Sequence, residues 1–412
     1  MTALTLSSIP VKPQEGFRYF FYVPPNNVGN LVVIGINATT FKIYNLTKGG
    51  LEKTLFMEEA ISRMEMKIIE GLQPGCYVIE SDRRLSVIVT FNSIWRWLGT
   101  YYPSTTGGYI GQEFICTSFP QRETAPTIAF FEDAKVIIYN SKGKKVAEIK
   151  GWQNETKSIG LVTGEPYRIV STGRIAISQT EDHGGYFLIN ERGVFRGRQF
   201  FGVMYNQAII VPYEPCKVEI YEMKKGSKIG EYTFTEKDVE ENKVWLFYHS
   251  YVGPVKVVST GDITVMFTPS GPLAHPLERI QDAEGCFLAY VQSNIIFKFY
   301  SLKGGVIFTP YDTTLKVDEA TISMAAGQYM DLAPDHVYEV SADKPIIIII
   351  CGTAADGYYL VSDRDIGEVL PPPKPSEKGK SAGILGLPIE ALVGIIIAVV
   401  IVAVLYLRLR KR

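Results

Sequence analysis

Between residues 17 and 362 the apolar positions fall into short runs of four to seven, some alternating with polar residues and some continuous. The runs are rich in Val, Ile, Phe and Tyr and end at turn residues such as Thr172-Gly173, Thr260-Gly261 and Asp343-Lys344-Pro345. Period-two alternation marks a strand with one buried face, and a short continuous run suits a strand covered on both. No ten-residue amphipathic helical pattern stands out, residues 57–70 being the one ambiguous stretch. The pattern predicts an all-β head.

The head is also predicted to be an internal repeat. Four segments share one phrase: Phe41-Lys42-Ile43-Tyr44-Asn45, Val136-Ile137-Ile138-Tyr139-Asn140, Val218-Glu219-Ile220-Tyr221-Glu222 and Phe297-Lys298-Phe299-Tyr300-Ser301. A Lys-Gly pair follows each, and then a second phrase carrying Ser81, Ser171, Ser259 or Ser341. The tyrosines lie 95, 82 and 79 positions apart. This periodicity divides the chain into an N-terminal segment (1–16) and β units at 17–110, 111–197, 198–284 and 285–368.

Each unit holds two strand–turn–strand hairpins, spaced about forty residues apart along the chain, the length of a four-stranded propeller blade. A propeller-like ring of seven or eight blades is therefore the preferred architecture. Four tandem β-sandwiches of about seven strands each are the alternative.

A stalk and an anchor are predicted after the head. Residues 369–383, VLPPPKPSEKGKSAG, are rich in Pro, Lys, Ser and Gly and read as a stalk. Residues 384–407 form a 24-residue apolar stretch broken only by Glu390. About 20 residues of helix span a hydrocarbon core, so this stretch is expected to be a transmembrane helix. Arg408, Arg410, Lys411 and Arg412 follow at once as a basic tail (408–412), which places the C-terminus in the cytoplasm. Lys374, Lys378 and Lys380 on the other flank oppose that bias. The first residues show no basic, apolar pattern of a signal peptide. Yet Asn37, Asn45 and Asn154 open N-glycosylation sequons that suit an exported head. A cell-membrane protein with its head outside is the expectation, and a tail-anchored scaffold facing the cytosol is the alternative.

Composition narrows the function classes. A hydrophobic content of 46% excludes a mainly disordered chain. With 42 Lys+Arg against 43 Asp+Glu there is no field to hold a polyanion, so nucleic acid is not an expected partner. The four histidines stand alone, and the five cysteines never form CxxC, so neither a metal nor a cofactor is expected. Cys76, Cys216 and Cys351 sit in apolar phrases and read as buried thiols; a Cys76–Cys116 disulfide is the less favoured possibility. There is neither a GxSxG elbow nor a phosphate-binding glycine loop, and the chain does not read as an enzyme. Trp95, Arg96, Trp97, Tyr101 and Tyr102 lie outside the repeated phrases, and their composition matches binding hot spots and sugar-stacking platforms. The competing expectation is that they pack on a neighbouring unit. The basic run 192–198, RGVFRGR, is a lesser candidate.

Three phrases, SADKPIII (Ser341 to Ile348), FFEDAKVIIYN (Phe130 to Asn140) and GQEFICTSFP (Gly111 to Pro120), resemble the repeating phrases of the IgGFc-binding-protein N-terminal domain. That family has Thr where Phe131 stands here, and its Lys-Pro is kept only at Lys344-Pro345. The resemblance implies surface binding or adhesion and carries no binding residue across. The expected function is thus a non-enzymatic, membrane-anchored surface interaction, adhesion or envelope-structural protein, with a protein, a glycan or a second copy as partner. A membrane-anchored carbohydrate-active enzyme is the alternative from another class.

Overall fold

A computed structural model describes residues 16–92, 98–117, 126–162, 164–179, 184–268, 286–351 and 357–366. Strands dominate. The first unit contains β1 (Phe17–Val23), β2 (Gly29–Gly35), β3 (Thr39–Thr47), β4 (Glu52–Ile61), β5 (Met66–Leu72), β6 (Gly75–Ser81) and β7 (Leu85–Phe91). The second contains β8 (Thr100–Tyr101), β9 (Ile110–Thr117), β10 (Thr127–Phe130), β11 (Ala134–Asn140), β12 (Lys145–Gly151), β13 (Thr156–Ser158) and β14 (Pro166–Gln179). In the third, β15 (Tyr186–Phe187), β16 (Gly197–Pro212), β17 (Cys216–Glu222) and β18 (Lys228–Phe234) precede the short helix α1 (Glu236–Glu240) and β19 (Trp245–Thr268). The fourth runs through β20 (Cys286–Val291), β21 (Phe297–Ser301), β22 (Gly305–Thr309), β23 (Thr313–Val317), β24 (Ala320–Met324), β25 (Gln328–Leu332), β26 (His336–Ala342) and β27 (Ile346–Cys351); β28 (Gly357–Leu360) follows.

Strand order decides the architecture. The fourth unit has two four-stranded sheets, β20-β27-β22-β25 and β21-β26-β23-β24. Numbered within the unit, these read 1-8-3-6 and 2-7-4-5, the order of an eight-stranded, double-sheet jelly roll. The first unit repeats it as β28-β7-β2-β5 and β1-β6-β3-β4. In the second, the two halves of β14 act as successive strands. Tyr167–Ser171 pairs with β9 and β11, and Ile175–Gln179 pairs with β8 and β10. The third is fused further: as residues 199–205 of β16 ascend, their β19 partners descend from Val258 to Val252. Residues 207–212 then meet β19 from Thr268 down to Ile263. A propeller blade is a meander of four consecutive strands, and none of these sheets has that order. Hairpin spacing does not separate the two architectures, because a two-hairpin jelly-roll unit has the same spacing as a pair of blades.

The burial pattern follows from the sheets. Outer sheets alternate: in β17, Cys216, Val218 and Ile220 point inward, while Lys217, Glu219 and Tyr221 do not. Cross-strand ion pairs cover the outer faces, among them Lys42–Glu58 at 3.3 Å, Lys135–Glu148 at 2.8 Å and Lys217–Glu231 at 3.3 Å. Inner sheets are buried on both faces, which is why β2, β7 and β27 read as continuous apolar runs. In β27 the residues divide by parity: Ile346, Ile348 and Ile350 enter the fourth unit's own core. Ile347 and Ile349 instead join the core of the first unit with Phe41, Ile43 and Val87. Val32, Ile34 and Ile88 pack in the same way into the second unit's core beside Ile128, Phe130 and Ile177. Phe131 meets Phe201 across the second and third units, and Phe187 meets Phe287 across the third and fourth. The units therefore pack in cyclic order, the fourth returning to the first.

The repeated phrases have local causes. Tyr77, Tyr167 and Tyr338 form tyrosine corners: Tyr77 Oη donates to the Gln73 carbonyl at 2.8 Å, while Tyr167 Oη and Tyr338 Oη accept from the N–H groups of Val162 and Ala333. The third unit has Val255 at this place. After the repeated serine, Thr172 and Thr260 accept from the N–H of Lys135 and Lys217, tying one hairpin turn to the other; Asp343 does the same for Thr314. This fixes the alignment of the fourth unit. Ala342, opposite Leu315, takes the place of Ser81, Ser171 and Ser259, so the equivalence assigned to Ser341 is one residue out. Likewise the counterpart of Phe41–Ile43 is Leu315–Val317, and Phe297–Ser301 occupies the β1 position. Both strands alternate in the same way, so the phrase alone did not separate them. Residues 57–70 fall on the end of β4, the turn at 62–65 and the start of β5, whereas α1 starts at a Thr235/Asp238 capping box that the sequence carries openly.

Candidate functional site at the seam

Units two to four each begin with their own first strand. The first unit takes that strand from β28, which pairs with β7 from Gly357 opposite Thr90 to Leu360 opposite Val87. Tyrosines lock the segment on both sides. Tyr359 Oη donates to the Thr117 carbonyl at 2.8 Å and accepts from its N–H at 3.1 Å. Tyr290 Oη does the same with Val361, at 2.7 and 2.6 Å. Such buried hydroxyls meet backbone groups that would otherwise lose their partners.

Two buried carboxylates complete the closure. Asp363, only 4% exposed, accepts from the Arg18 N–H at 3.1 Å and from Arg18 Nε at 2.8 Å. Arg18 Nη2 also donates to the Pro310 carbonyl at 3.1 Å, so one guanidinium joins β1, the β22–β23 turn and the closing segment. Asp365 pairs with Arg84. A second close approach lies between Gly50 and Gly327, where a Cβ on Gly50 would sit 1.4 Å from the Gly327 carbonyl oxygen. Gly50 also has φ of +88°, a conformation that favours glycine.

Over this seam lies a cleft of about 970 Å³. Its floor is the outer face of β1, β3, β4 and β6, including Lys42, Tyr44, Glu58 and Glu80; its wall is the fourth unit's Pro310–Asp312 turn and Ala326, with Asp363 and Arg364 beside them. Most lining charges already have partners. Lys42 pairs with Glu58 at 3.3 Å, Arg18 with Asp363 at 2.8 Å, and Glu80 with Lys53 at 2.8 Å. A smaller cleft of about 410 Å³ lies where the third and fourth units meet and is lined by Arg192, Phe195, Arg196 and Asp262. There the basic run is largely neutralised: Arg196 and Arg198 both bond Asp262, and Arg196 lies 4.1 Å from the Tyr213 ring centre.

Other sequence candidates fall elsewhere. Trp95, Arg96 and Trp97 lie outside the described residues, as do the anchor residues 384–407 and Arg408, Arg410, Lys411 and Arg412. Tyr101 and Tyr102 are not a platform: both are buried, with Tyr101 Oη bonded to the Phe201 carbonyl and Tyr102 Oη to Gln179. Their rings pack edge-on against Tyr186 and Tyr359 between units. Asn37 and Asn154 are exposed at turns, but Asn45 is half-buried in β3 and its side chain bonds Tyr77. Cys76, Cys116 and Cys216 are free, buried thiols, which removes a Cys76–Cys116 bridge. Burial pushes all three thiols up from their usual range. Cys351, expected as a thiol, is disulfide-bonded. Among the described residues no helix is long and apolar enough to cross a membrane, and no group of three or more His, Cys, Asp or Glu could hold a metal.

Neither a protein-family model nor a curated protein matches the chain. Among solved structures it is similar to a conserved protein of unknown function from Pseudomonas aeruginosa PAO1, at 8% identity and a TM-score of 0.14, covering 38% of this chain and 80% of that one. It is also similar to the infectious bursal disease virus VP2 subviral particle, at 8% identity and a TM-score of 0.13, covering 86% of this chain and 81% of that one. At such TM-scores neither carries an argument about this chain.

Proposed function

We propose that the chain is a non-enzymatic surface interaction protein: a four-unit β head carried outside the cell on the 369–383 stalk, with residues 384–407 in the membrane. The seam cleft carries the binding part of this reading. It is the larger of the two clefts described, its wall and floor come from different units, and buried ion pairs fix them together. The disulfide at Cys351 supports the location, because disulfides persist in oxidising compartments and are rare in the cytosol. Exposed Asn37 and Asn154 are compatible with glycosylation there.

Protease shaving of intact cells, with mass spectrometry of the released peptides, tests it. The expected result is release of head peptides, an oxidised Cys351 and glycans on Asn37 or Asn154 where the host glycosylates. A protected head with Cys351 reduced would instead establish the cytosol-facing scaffold.

A further inference from the structure

The smaller cleft, where the third and fourth units meet, has two fixed walls. The third-unit wall is the turn at 190–193, held by a single buried side chain. Asn190 Oδ1 accepts from the N–H groups of Arg192 and Val194 at 2.8 and 3.2 Å, and its Nδ2 donates to the Arg196 carbonyl at 2.9 Å. The fourth-unit wall is the turn at 292–295, where the Asn294 N–H donates to the Ala342 carbonyl at 2.7 Å. Arg196 joins the two walls, donating from Nη1 to the Ile296 carbonyl at 3.0 Å. A ligand here would meet groups already in place, which lowers the cost of binding.

One charge on these walls is left over. Asp262 is the carboxylate that lines the cleft, and it already holds Arg196 at 3.1 Å and Arg198 at 3.0 Å. Arg192 lines the cleft too, is exposed, and pairs with no carboxylate among the described residues. Glu191 precedes it in the chain but is not part of the lining. A guanidinium presents parallel N–H groups that match the two oxygens of a carboxylate. Beside it the lining is apolar, with Val194, Phe195, Ile295 and Phe297. Phe195 and Phe297 are buried, whereas Ile295 keeps 39% of its surface exposed in a turn, where polar residues or glycine usually stand.

We propose that this cleft binds a small monocarboxylic acid with an apolar body, an aryl or short acyl acid. Its carboxylate lies on Arg192 and its body over Val194, Phe195 and Ile295. A phosphate fits poorly, because a single open guanidinium faces it, Asp262 lines the same cleft, and apolar walls do not solvate a second charge. An amine is opposed by Arg192, and the carboxylate it would seek is taken. The volume of about 410 Å³ is toward the lower end of small-molecule sites, about 300–1,000 Å³, which suits one compact ligand rather than a length of peptide. The site is separate from the seam cleft, and nothing in the assignment depends on which side of the membrane the head faces.

The test is equilibrium dialysis of the full chain in detergent micelles, with empty micelles as the blank. Phenylbutyrate is the probe, and phenylbutyramide, phenylbutylamine, inorganic phosphate and a short peptide ending in phenylalanine are run beside it. Phenylbutyrate is expected to bind saturably, one per chain, and less tightly as salt rises. Arg192→Gln should weaken that binding about tenfold, the loss of a charge-assisted contact, and Arg192→Lys should fall between the two. Ile295→Ser should weaken it several-fold through lost apolar contact. All three variants should melt with the parent, because both side chains are exposed. No saturable binding, equal binding of the amide, tighter binding of phosphate, the amine or the peptide, or indifference to Arg192→Gln each overturns the proposal. Protease shaving reads the head's location independently, so a failure here leaves the surface-protein reading standing, and the reverse holds as well.

Discussion

The first and fourth units share one strand order and are completed in different ways. The fourth unit opens with β20, so its inner sheet β20-β27-β22-β25 is assembled from one continuous stretch of chain. The first unit's inner sheet waits for β28, which the chain supplies only after the other three units. Contacts so distant in sequence are formed late, because loop closure must precede them. The fourth unit is thus locally complete, and the first depends on the cyclic closure of the whole head.

Removing β28 should break this contrast most strongly. A chain stopped after residue 356 uncovers β7 and strips Tyr358, Tyr359 and Leu360, all fully buried, from the cores around the first unit. Loss of three such side chains exceeds about 6 kcal/mol, comparable to the stability of a whole domain. Amide exchange should show β2 and β7 unprotected while β22 and β26 remain protected. A chain stopped after residue 366, which keeps the segment, should retain protection in both units. Equal loss in both units would show that the fourth has no local independence.

Next come the isoleucines of β27, which sharpen the comparison within a single strand. Ile348→Ala and Ile349→Ala each remove a fully buried side chain and should each cost about 2–5 kcal/mol. The first opens the fourth unit's own core and the second opens the shared core of the first unit. Exchange protection should therefore fall in β26 for Ile348→Ala and in β3 and β6 for Ile349→Ala. Identical patterns would refute the parity assignment.

These features differ in how far the sequence displayed them. Alternation in Cys216–Glu222 and the continuous run Ile346–Cys351 state their burial plainly, since the period of the pattern reports which faces are covered. A period does not name a partner, however. Nothing in the four residues of β28 says that they pair with Leu85–Phe91 rather than with a neighbour in sequence. The same gap lies behind the propeller expectation, because hairpin spacing is shared by a blade and by half a jelly roll. Tyr101 and Tyr102 lie outside the repeats, where a binding surface and packing between units draw on the same aromatic composition, and of the two expectations it is the packing that holds for them. Of the cleft, Lys42, Glu58 and Tyr311 sit on ordinary strand and turn positions, and only the meeting of two distant units brings them together.

A smaller effect is expected at the seam. Asp363→Ala leaves the Arg18 guanidinium without its carboxylate while one-third of that side chain stays in solvent, so the cost should be about 2–3 kcal/mol, below that of breaking a fully buried pair. A double-mutant cycle with Arg18→Ala should return a coupling above about 1 kcal/mol, measured by thermal or denaturant unfolding. The equivalent cycle on Lys298–Glu339, a pair within the fourth unit whose glutamate is well exposed, should return less than that. A coupling at the seam no larger than at Lys298–Glu339 would remove the ion pairs from the closure.

The smallest effect belongs to the outer ladders, where the units should behave alike. Glu148 is held down at about 2 by Lys135 and Lys145, and Glu219 at about 2 by Tyr221 and Lys217. A carboxyl depressed in the folded state stabilises above its unfolded pKa, about 4.3 for Glu, and that contribution fades as pH falls toward about 2. Both groups lie on outer faces open to solvent, so water and salt screen the gain. Melting should be flat from pH 7 to about 5 on account of these groups, then decline slightly more steeply in the parent than in Glu148→Gln or Glu219→Gln. The difference should vanish in molar salt, where the Debye length is about 3 Å. Should the Gln variants lose stability equally at pH 7 and at pH 2, the ladders would act through packing of their side-chain stems rather than through charge.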